Sequence, residues 1–261
     1  MISVDIPALE IWWYPLLLLT GWCAGFVDSA AGGGGLITVP VLLQTGMPPQ
    51  WALATNKLQA SFGSGSACWH FAKAGLIDWK RVRLAAGLTL LGAALGAGLV
   101  NRLDSAWLNR VIPWILAGLA LFTLFQPNLG KSESKVRCGE FLFSVTCGLG
   151  IGFYDGFFGP GTGTFWAMAH VLLLGLDLRL ATARTKAMNF CSNLASLAVF
   201  LQAGQVLFAA GLCMGAGQWL GAKAGSKLVI VHGARWIRPL LITVTLALTA
   251  RLFWLNFRGS P

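Results

Sequence analysis

Charged residues are scarce in this chain of 261 residues, because Asp, Glu, Lys and Arg together make up only 11% of it. A soluble domain carries about a quarter charged residues. Hydrophobic residues make up 56%, and at least eight stretches approach the length of about 17–25 apolar residues that a spanning helix needs. Because open strands cannot cross lipid, the sequence predicts an all-α polytopic membrane protein.

Several signatures of other protein classes are missing from the sequence. The six cysteines form no CxxC pair and the three histidines show no HExxH spacing, so no disulfide framework, metal or cofactor is expected. No Lys or Arg precedes Lys57, so the basic region of a secretory signal is absent and Ile11–Val27 is predicted to be a retained helix. No GK[ST] sequence accompanies the glycines, which argues against a nucleotide-binding loop.

The formal net charge of +10 does not indicate a nucleic-acid partner. Most Lys and Arg residues fall in short loops between apolar runs, where they set topology and meet anionic lipid. No motif of interleaved basic and aromatic residues typical of RNA binding occurs. The expected partner is therefore the lipid bilayer, and a homo-oligomer is compatible with the sequence.

A glycine-rich break occurs once in each half of the chain. The sequence GFVDSAAGGGG at Gly25–Gly35 recurs as GFYDGFFGPGTG at Gly152–Gly163, and Asp28 and Asp155 occupy equivalent places in the two motifs. A break repeated in both halves is the best sequence pointer to a transporter's binding site. We therefore predict a single transporter domain over 1–261, with repeat 1 at 1–126, a linker at 127–138 and repeat 2 at 139–261.

Each half is predicted to contain about four spanning helices and one half-length segment after the glycines. Residues Lys73–Arg83 are expected to form a basic loop, and Gly92 and Gly96 are matched with Gly217 and Gly221. The predicted helices are Ile11–Val27, Leu36–Leu43, Trp51–Phe71, Leu84–Val100, Ala106–Phe125, Glu140–Tyr154, Thr164–Leu174, Ala181–Gln202, Val206–Val231 and Ile237–Phe257.

The charges predict that the two halves have opposite orientations. Lys73–Arg83 is strongly basic, whereas its equivalent, Gln202–Gln205, carries no charge, and the next pair of loops differs in the opposite sense. The positive-inside rule then places equivalent loops on opposite faces of the membrane. We predict inverted repeats in the cell inner membrane, with the central linker cytoplasmic and both termini outside.

The backbone of the two breaks is a candidate for substrate binding. Four consecutive glycines make a poor helix, at a cost of about 1 kcal/mol each against Ala, so their backbone is expected to line a cavity. The segments that begin at Leu36 and Thr164 would point helix N-termini into it, and such ends favour anions. Close helix packing is the alternative use of these glycines.

Lys57 and Lys186 each lie near the start of the helix that follows a break, on a polar face. Interhelical hydrogen bonding and snorkelling are alternatives, but a lysine beside both breaks favours anion coordination. An acid within a spanning segment is usually functional, so Asp28 and Asp155 are either coupling acids, helix caps or partners of a buried lysine. Arg184 makes the halves unequal if it reaches the cavity.

Four pieces of the sequence resemble the TauE/SafE sulfite exporter family, also called the toluene sulfonate uptake permeases, and within it the bacterial branch of unassigned permeases. They are GFVDSAAGGGGLITVP and ALATNKLQASFGS in the first half, with GFYDGFFGPGTGTF and ATARTKAMNFCSN in the second. The resemblance implies a permease of two repeated halves for sulfite, thiosulfate or organosulfonates. It implies that the breaks and the helices after them line the site, which here means Gly32, Gly33, Gly34, Gly35, Asn56, Lys57, Gln59, Gly161, Thr162, Lys186 and Asn189.

The leading hypothesis is a secondary transporter that binds a small anion in mid-membrane and alternates access by rocking one half against the other. Its site would combine Lys57, Lys186 and the two helix N-termini. An anion channel could use the same residues. An intramembrane hydrolase built on Ser64 and His70 is disfavoured, because GxSxG is absent and the two residues are badly aligned on a helix. We therefore do not expect an enzyme.

Overall fold

The computed structural model describes residues 9–124 and 135–232, and within these ranges the regular structure is helical throughout. The predicted all-α class is thereby confirmed. The predicted last helix, at 237–257, and most of the predicted linker lie outside the described residues. The helices are α1 Trp13–Ala31, α2 Gly34–Gln44, α3 Pro49–Lys73, α4 Trp79–Val100, α5 Ser105–Leu124, α6 Glu140–Phe143, a π turn at Ser144–Gly148, α7 Leu149–Phe157, α8 Thr162–Leu174, α9 Leu178–Gln202 and α10 Phe208–His232.

Two helices begin earlier than the apolar pattern predicts, because an aspartate caps each of them. The carboxylate of Asp78 accepts a hydrogen bond of 3.0 Å from the backbone N–H of Lys80, so α4 begins at Trp79. Asp177 caps α9 in the same way. The predicted basic loop is therefore partly wrong, since its last residues form the first turn of α4.

The glycine breaks are shorter than the sequence suggests. Gly32 ends α1 with a φ of 77°, and α2 already begins at Gly34, so the last two of the four glycines are helical. In the second break, Gly159 and Gly161 have φ values of 95° and 81° before α8 begins at Thr162. These left-handed conformations require glycine, because a Cβ would clash with the following carbonyl oxygen.

The first helix of each half packs along a helix of the other half. α1 lies along α10, and the continuous helix over 140–157 lies along α4. A Cβ on Gly221 would lie 2.0 Å from the carbonyl oxygen of Trp22, and a Cβ on Gly96 would lie 2.1 Å from that of Phe153. Only glycine permits so close an approach of two backbones, so these spaced glycines serve close helix packing.

The same contacts correct the predicted match between the glycines of the two halves. Gly92 faces the carbonyl oxygen of Leu149, and Gly221 faces that of Trp22. Leu149 follows Trp22 at the same offset that relates the two acids of the breaks. Gly92 is therefore the equivalent of Gly221, which lies one helical turn beyond the predicted match at Gly217.

The exchange of partners divides the described helices into two bundles. The first bundle contains α1, α2, α3 and α10, and the second contains α4, α6, α7, α8 and α9. The bundles meet chiefly where α3 packs against α9 in the middle of the molecule. Gly32 and Gly163 also touch across this junction, where a Cβ on either would lie 2.4 Å from the other's backbone. Both glycine breaks are thus held at the junction of the bundles.

The protein has an apolar surface and charged groups in its interior, which is the reverse of the usual arrangement in a soluble protein. Leu19, Leu95 and Leu220 are each more than half exposed, whereas Lys57 and Lys186 are almost completely buried. An extensive apolar exterior marks a surface that lies against lipid or protein. Buried ionisable groups in such a molecule are costly and are usually kept for function.

Among the described helices, α4 alone is long and apolar enough by itself to cross a bilayer, with a mean hydropathy of 1.6. Helices α3 and α9 are long, but both carry many buried polar side chains, which lower their hydropathy. Helices α2 and α8 are apolar but too short to span.

Candidate binding site

Lys57 is buried at the centre of the junction and is surrounded by oxygen acceptors. Its Nζ lies 2.6 Å from Oδ1 of Asp155, and it also donates to the backbone carbonyl of Asp155 and to Oδ1 of Asn193, at 3.4 Å. The other carboxylate oxygen of Asp155 accepts a hydrogen bond from the hydroxyl of Ser192. Lys57 belongs to the first bundle, and its two partner residues, Asp155 and Asn193, belong to the second.

Lys186 makes the reciprocal contact from the second bundle to the first. Its Nζ lies 2.9 Å from Oδ2 of Asp28, while Oδ1 of Asp28 accepts a hydrogen bond of 3.0 Å from the backbone N–H of Gly34. Asp28 is therefore both a helix cap for α2 and the partner of a buried lysine, two of the uses that the sequence allowed. Each break thus supplies the acid for the lysine of the other half.

A polar cavity lies between the bundles, next to the Lys57–Asp155 pair. It contains about 370 Å³ of empty space, including the open space at its mouth. It is lined by Asp28, Gly32, Gly35, Asn56, Lys57, Ala60, Asp155, Gly159, Gly161, Thr162, Gly163, Asn189, Asn193 and Gln218.

Most of the predicted site residues reach this cavity. The structure brings together Gly32, Gly35, Asn56, Lys57, Gly161, Thr162 and Asn189, with both acids. Four predicted residues do not line it, and these are Gly33, Gly34, Gln59 and Lys186. The backbone N–H of Gly34 instead donates to one carboxylate oxygen of Asp28, and Lys186 pairs with the other oxygen.

A network of side chains fixes the orientation of Asn56 in the cavity wall. Oδ1 of Asn56 accepts hydrogen bonds from Thr38 Oγ1 at 2.5 Å and from Gln59 Nε2 at 2.7 Å. Because its carbonyl oxygen is held by these two donors, Asn56 is left to turn its amide –NH₂ group to the cavity. Gln59 thus supports the wall from behind rather than forming part of it.

Two amides at the cavity have hydrogen-bonding capacity that the protein does not use. Oδ1 of Asn189 and Oε1 of Gln218 are buried without a hydrogen-bond partner among the described residues. Buried polar groups in native proteins are nearly always bonded, so unpartnered amide oxygens beside a cavity point to water or to a ligand group that can donate a hydrogen bond. Sequence reasoning missed Gln218, whose signal is a single amide within the apolar helix α10.

The two short helices differ at the ends that face the cavity. The N-terminus of α2 is already bonded to the carboxylate of Asp28, so this end is not free to hold a second anion. The N-terminus of α8 has no side-chain cap, and Thr162 and Gly163 of its first turn line the cavity. Only the α8 end therefore combines an open helix dipole with access to the cavity.

Three residues singled out in the sequence are engaged elsewhere. Arg184 pairs with Glu140 at 3.3 Å within the second bundle and does not line the cavity. Ser64 donates to the backbone of Ala60, and the ring of His70 contacts the backbone oxygen of Ser66. Ser64 and His70 are thus not paired in the way a hydrolase requires.

Membrane transporters combine an apolar exterior with a polar cavity between helical bundles. This chain has both features, together with two buried ion pairs that cross the junction of its bundles. Comparison with known proteins gives the particular family, because residues 17–252 match the family model described as Sulfite exporter TauE/SafE. The chain belongs to the sulfite exporter TauE/SafE family. No solved structure matches it.

Several relatives carry the name "probable membrane transporter protein". One from Haemophilus influenzae is 43% identical over 260 residues, which cover 98% of this chain and 99% of the relative. One from a Sinorhizobium species is 44% identical and covers 90% of each chain. YfcA of Escherichia coli K12 is 40% identical and covers 92% of this chain and 89% of its own. This chain is therefore a membrane transporter.

Proposed function

We propose that the protein is a secondary transporter for small sulfur-containing anions, namely sulfite, thiosulfate or organosulfonates, in the cell inner membrane. The observation that carries the proposal is the position of Lys57, which is 1% exposed and lines the cavity between the bundles. A buried ammonium group beside an open polar cavity is a binding partner for an anion. The family's description supports the sulfur oxyanion class.

The anion would bind where neutral donors already converge around Lys57. Asn56 and Asn189 would contribute amide –NH₂ groups from α3 and α9, Gln218 would contribute one from α10, and the first turn of α8 would contribute the backbone N–H of Gly163. A tetrahedral or pyramidal oxyanion can accept several hydrogen bonds at once, so a ring of amides suits it. In the described conformation, Lys57 is paired with Asp155, so the ammonium group that the anion would bind is already engaged.

The packing supports motion of the two bundles rather than of the two halves. A half-against-half movement would have to separate α1 from α10 and α7 from α4, whose backbones touch at glycines. A bundle-against-bundle movement leaves these contacts intact and breaks the α3–α9 junction and the contact between Gly32 and Gly163. Both ion pairs cross that junction, so they are the contacts that such a movement would make and break.

The reciprocal exchange of helices also supports the inverted repeat and the multi-pass topology. Each half lends one helix to the other bundle, as a pseudo-two-fold relation would require. We propose that the central linker is cytoplasmic and that both termini lie outside. A reporter at the C-terminus that fluoresces only in the cytoplasm should give no signal, and a strong signal would contradict this topology.

The function is tested by radiolabelled sulfite and thiosulfate in proteoliposomes of the purified protein. We expect saturable uptake that Lys57→Ala reduces to the background of empty liposomes. Lys73→Ala is the matched control, because Lys73 ends the same helix and is exposed. Equal uptake by Lys57→Ala and wild type, in inserted and folded protein, would contradict the proposed site.

The same vesicles distinguish the alternatives. Counterflow of labelled anion against unlabelled anion inside the vesicle is expected of a carrier, whereas large single-channel currents would indicate an anion channel. Labelling by a serine-reactive probe that Ser64→Ala abolishes would indicate a hydrolase. No uptake of any sulfur anion by folded protein would contradict the proposed substrate class.

A further inference from the structure

The fixed charges at the site are balanced, which restricts how an anion can bind there. Two lysines, Lys57 and Lys186, face two acids, Asp28 and Asp155, in pairs of 2.6 and 2.9 Å. Among the described residues, no other charged side chain forms a salt bridge with any of these four. An anion that entered this neutral, buried site alone would leave an unbalanced negative charge, which is costly in a region of low polarity.

The two acids differ in whether they can accept a proton without losing a hydrogen bond. Both oxygens of Asp28 face groups that can only donate, because Oδ2 meets the ammonium of Lys186 and Oδ1 meets the backbone N–H of Gly34. A proton on either oxygen would point at another donor. Asp28 is therefore suited to remain ionised.

Asp155 has a partner that can reverse its role. Its Oδ2 accepts from the hydroxyl of Ser192, and a hydroxyl both donates and accepts. The same hydroxyl lies 3.1 Å from the backbone oxygen of Asn189. If Oδ2 takes a proton, it can donate to Ser192, whose own hydrogen then turns to Asn189. Every hydrogen bond is kept, and only the charge of Asp155 is lost.

The other elements around Asp155 present no competing charge. Helix α4 packs against α7 through Thr89 and Ala93, and α8 brings Thr162 and Gly163 to the same cavity. All four of these residues are uncharged. The neighbouring Tyr154 donates its hydroxyl to the backbone oxygen of Pro160. The groups that govern Asp155 are therefore Lys57 from α3, Ser192 from α9, and Asp28 across the cavity.

We propose that Asp155 is the proton-binding residue of the transport cycle, so that one proton enters with each substrate anion; this rests on the proposed function. A proton from the aqueous phase binds Oδ2 of Asp155, Lys57 keeps its own proton, and its freed positive charge holds the anion. With a monovalent anion such as methanesulfonate, the site is neutral before and after loading. Protonation also removes one of the two ion pairs that hold the bundles together, whereas Asp28–Lys186 remains.

The test counts the protons taken up when an anion binds to the purified protein. Binding of methanesulfonate and thiosulfate is measured by calorimetry in two buffers of different ionisation enthalpy, because both anions keep a constant charge across the working pH range. We expect about one proton per bound methanesulfonate in the wild type, by linkage between proton and anion binding. Asp155→Asn, which resembles the protonated acid, should bind without proton uptake and with no pH dependence. The neutral double variant Lys186→Met/Asp28→Asn, which keeps the charge balance of the site, should still take up protons.

Each outcome decides the inference. Binding without proton uptake in the wild type, or proton uptake that persists in Asp155→Asn, would overturn it and leave the proposed function standing. No saturable binding of methanesulfonate, thiosulfate or sulfite to folded protein would overturn both. If Asp155→Asn does not fold, the anion-induced infrared band of a protonated carboxyl must appear in the wild type and in Lys186→Met/Asp28→Asn. Its absence from either one would contradict the assignment.

Discussion

The two buried ion pairs are alike in chemistry and differ in their surroundings. Lys57–Asp155 lines the cavity, and its carboxylate is bonded to a hydroxyl. In the Lys186–Asp28 pair, the lysine does not line the cavity and the carboxylate caps α2. A duplicated sequence has thus produced one pair that is suited to exchange partners and one that is suited to hold the structure.

The difference arises from a few residues in otherwise equivalent places. Ser192, which bonds Asp155, corresponds to Gly63 in the first half, which cannot bond Asp28 and instead lies against Gln218. In the same way Asn193 corresponds to Ser64. The duplication supplies the lysines and acids, and single substitutions around them decide which pair can release its lysine.

The largest expected effect tests what the two pairs have in common. Removing one partner of a buried pair costs about 3–5 kcal/mol, because it leaves a buried charge without compensation. We expect Lys57→Ala and Lys186→Ala each to lower the thermal unfolding midpoint strongly, measured by tryptophan fluorescence in detergent. The double variants Lys57→Met/Asp155→Asn and Lys186→Met/Asp28→Asn should regain most of the loss. A single variant as stable as the wild type would show that its pair contributes little.

Transport should separate the two pairs. A hydrogen bond to a charged group contributes about 1.5–3 kcal/mol, so loss of Lys57 should weaken apparent affinity for the anion roughly 10- to 150-fold. Lys186→Ala should retain affinity within a few-fold, when initial uptake rates over a range of anion concentrations are normalised to the amount of folded protein. Equal losses in both variants would contradict the division of roles.

The glycine contacts within each bundle are expected to be equally tight. Gly96→Ala would push a methyl group against the backbone of Phe153 and should cost about 1–3 kcal/mol, as overpacking does. Gly98→Ala is its matched control on the same helix, because nothing lies within 4 Å of a Cβ there. Gly221→Ala should behave like Gly96→Ala in thermal unfolding. A difference between these two would show that the bundles are not held together alike.

The smallest expected effect concerns Gln218 of α10. The equivalent residue of α4 is Thr89, which supplies no amide to the cavity and donates its hydroxyl to the backbone of Ala85 instead. Because Oε1 of Gln218 has no hydrogen-bond partner among the described residues, Gln218→Met, which keeps the volume of this buried side chain, should leave the unfolding midpoint nearly unchanged. Loss of one neutral hydrogen bond from the –NH₂ group of Gln218 to the anion, about 0.5–1.5 kcal/mol, should raise the KM for anion uptake a few-fold. An unchanged KM would remove Gln218 from the site.

The sequence alone could predict the all-α fold from its apolar periodicity and the two breaks from their repeated motif. It could also predict that Lys57, Asp28 and Asp155 are candidate site residues, because charged residues stand out within apolar helices. It could not predict that each acid pairs with the lysine of the other half, since that depends on the exchange of α4 and α10 between bundles. Long-range topology of this kind leaves no mark in residue spacing.

Two smaller differences between prediction and structure have local causes. The start of α4 was missed because the cap at Asp78 extends the helix through a polar stretch that shows no apolar periodicity. Gln218 was missed because one amide in an apolar helix is more often a packing contact than a ligand. Only its place opposite Gly25 and Gly63, next to the cavity, distinguishes it.

The most direct test of the central claim is equilibrium binding of labelled thiosulfate and sulfite to the two neutral double variants. Both variants remove one buried ion pair without leaving a charge behind, so both are expected to fold. Lys57→Met/Asp155→Asn should lose saturable binding, and Lys186→Met/Asp28→Asn should keep it within a few-fold of wild type. Binding retained in the first variant and lost in the second would contradict the account.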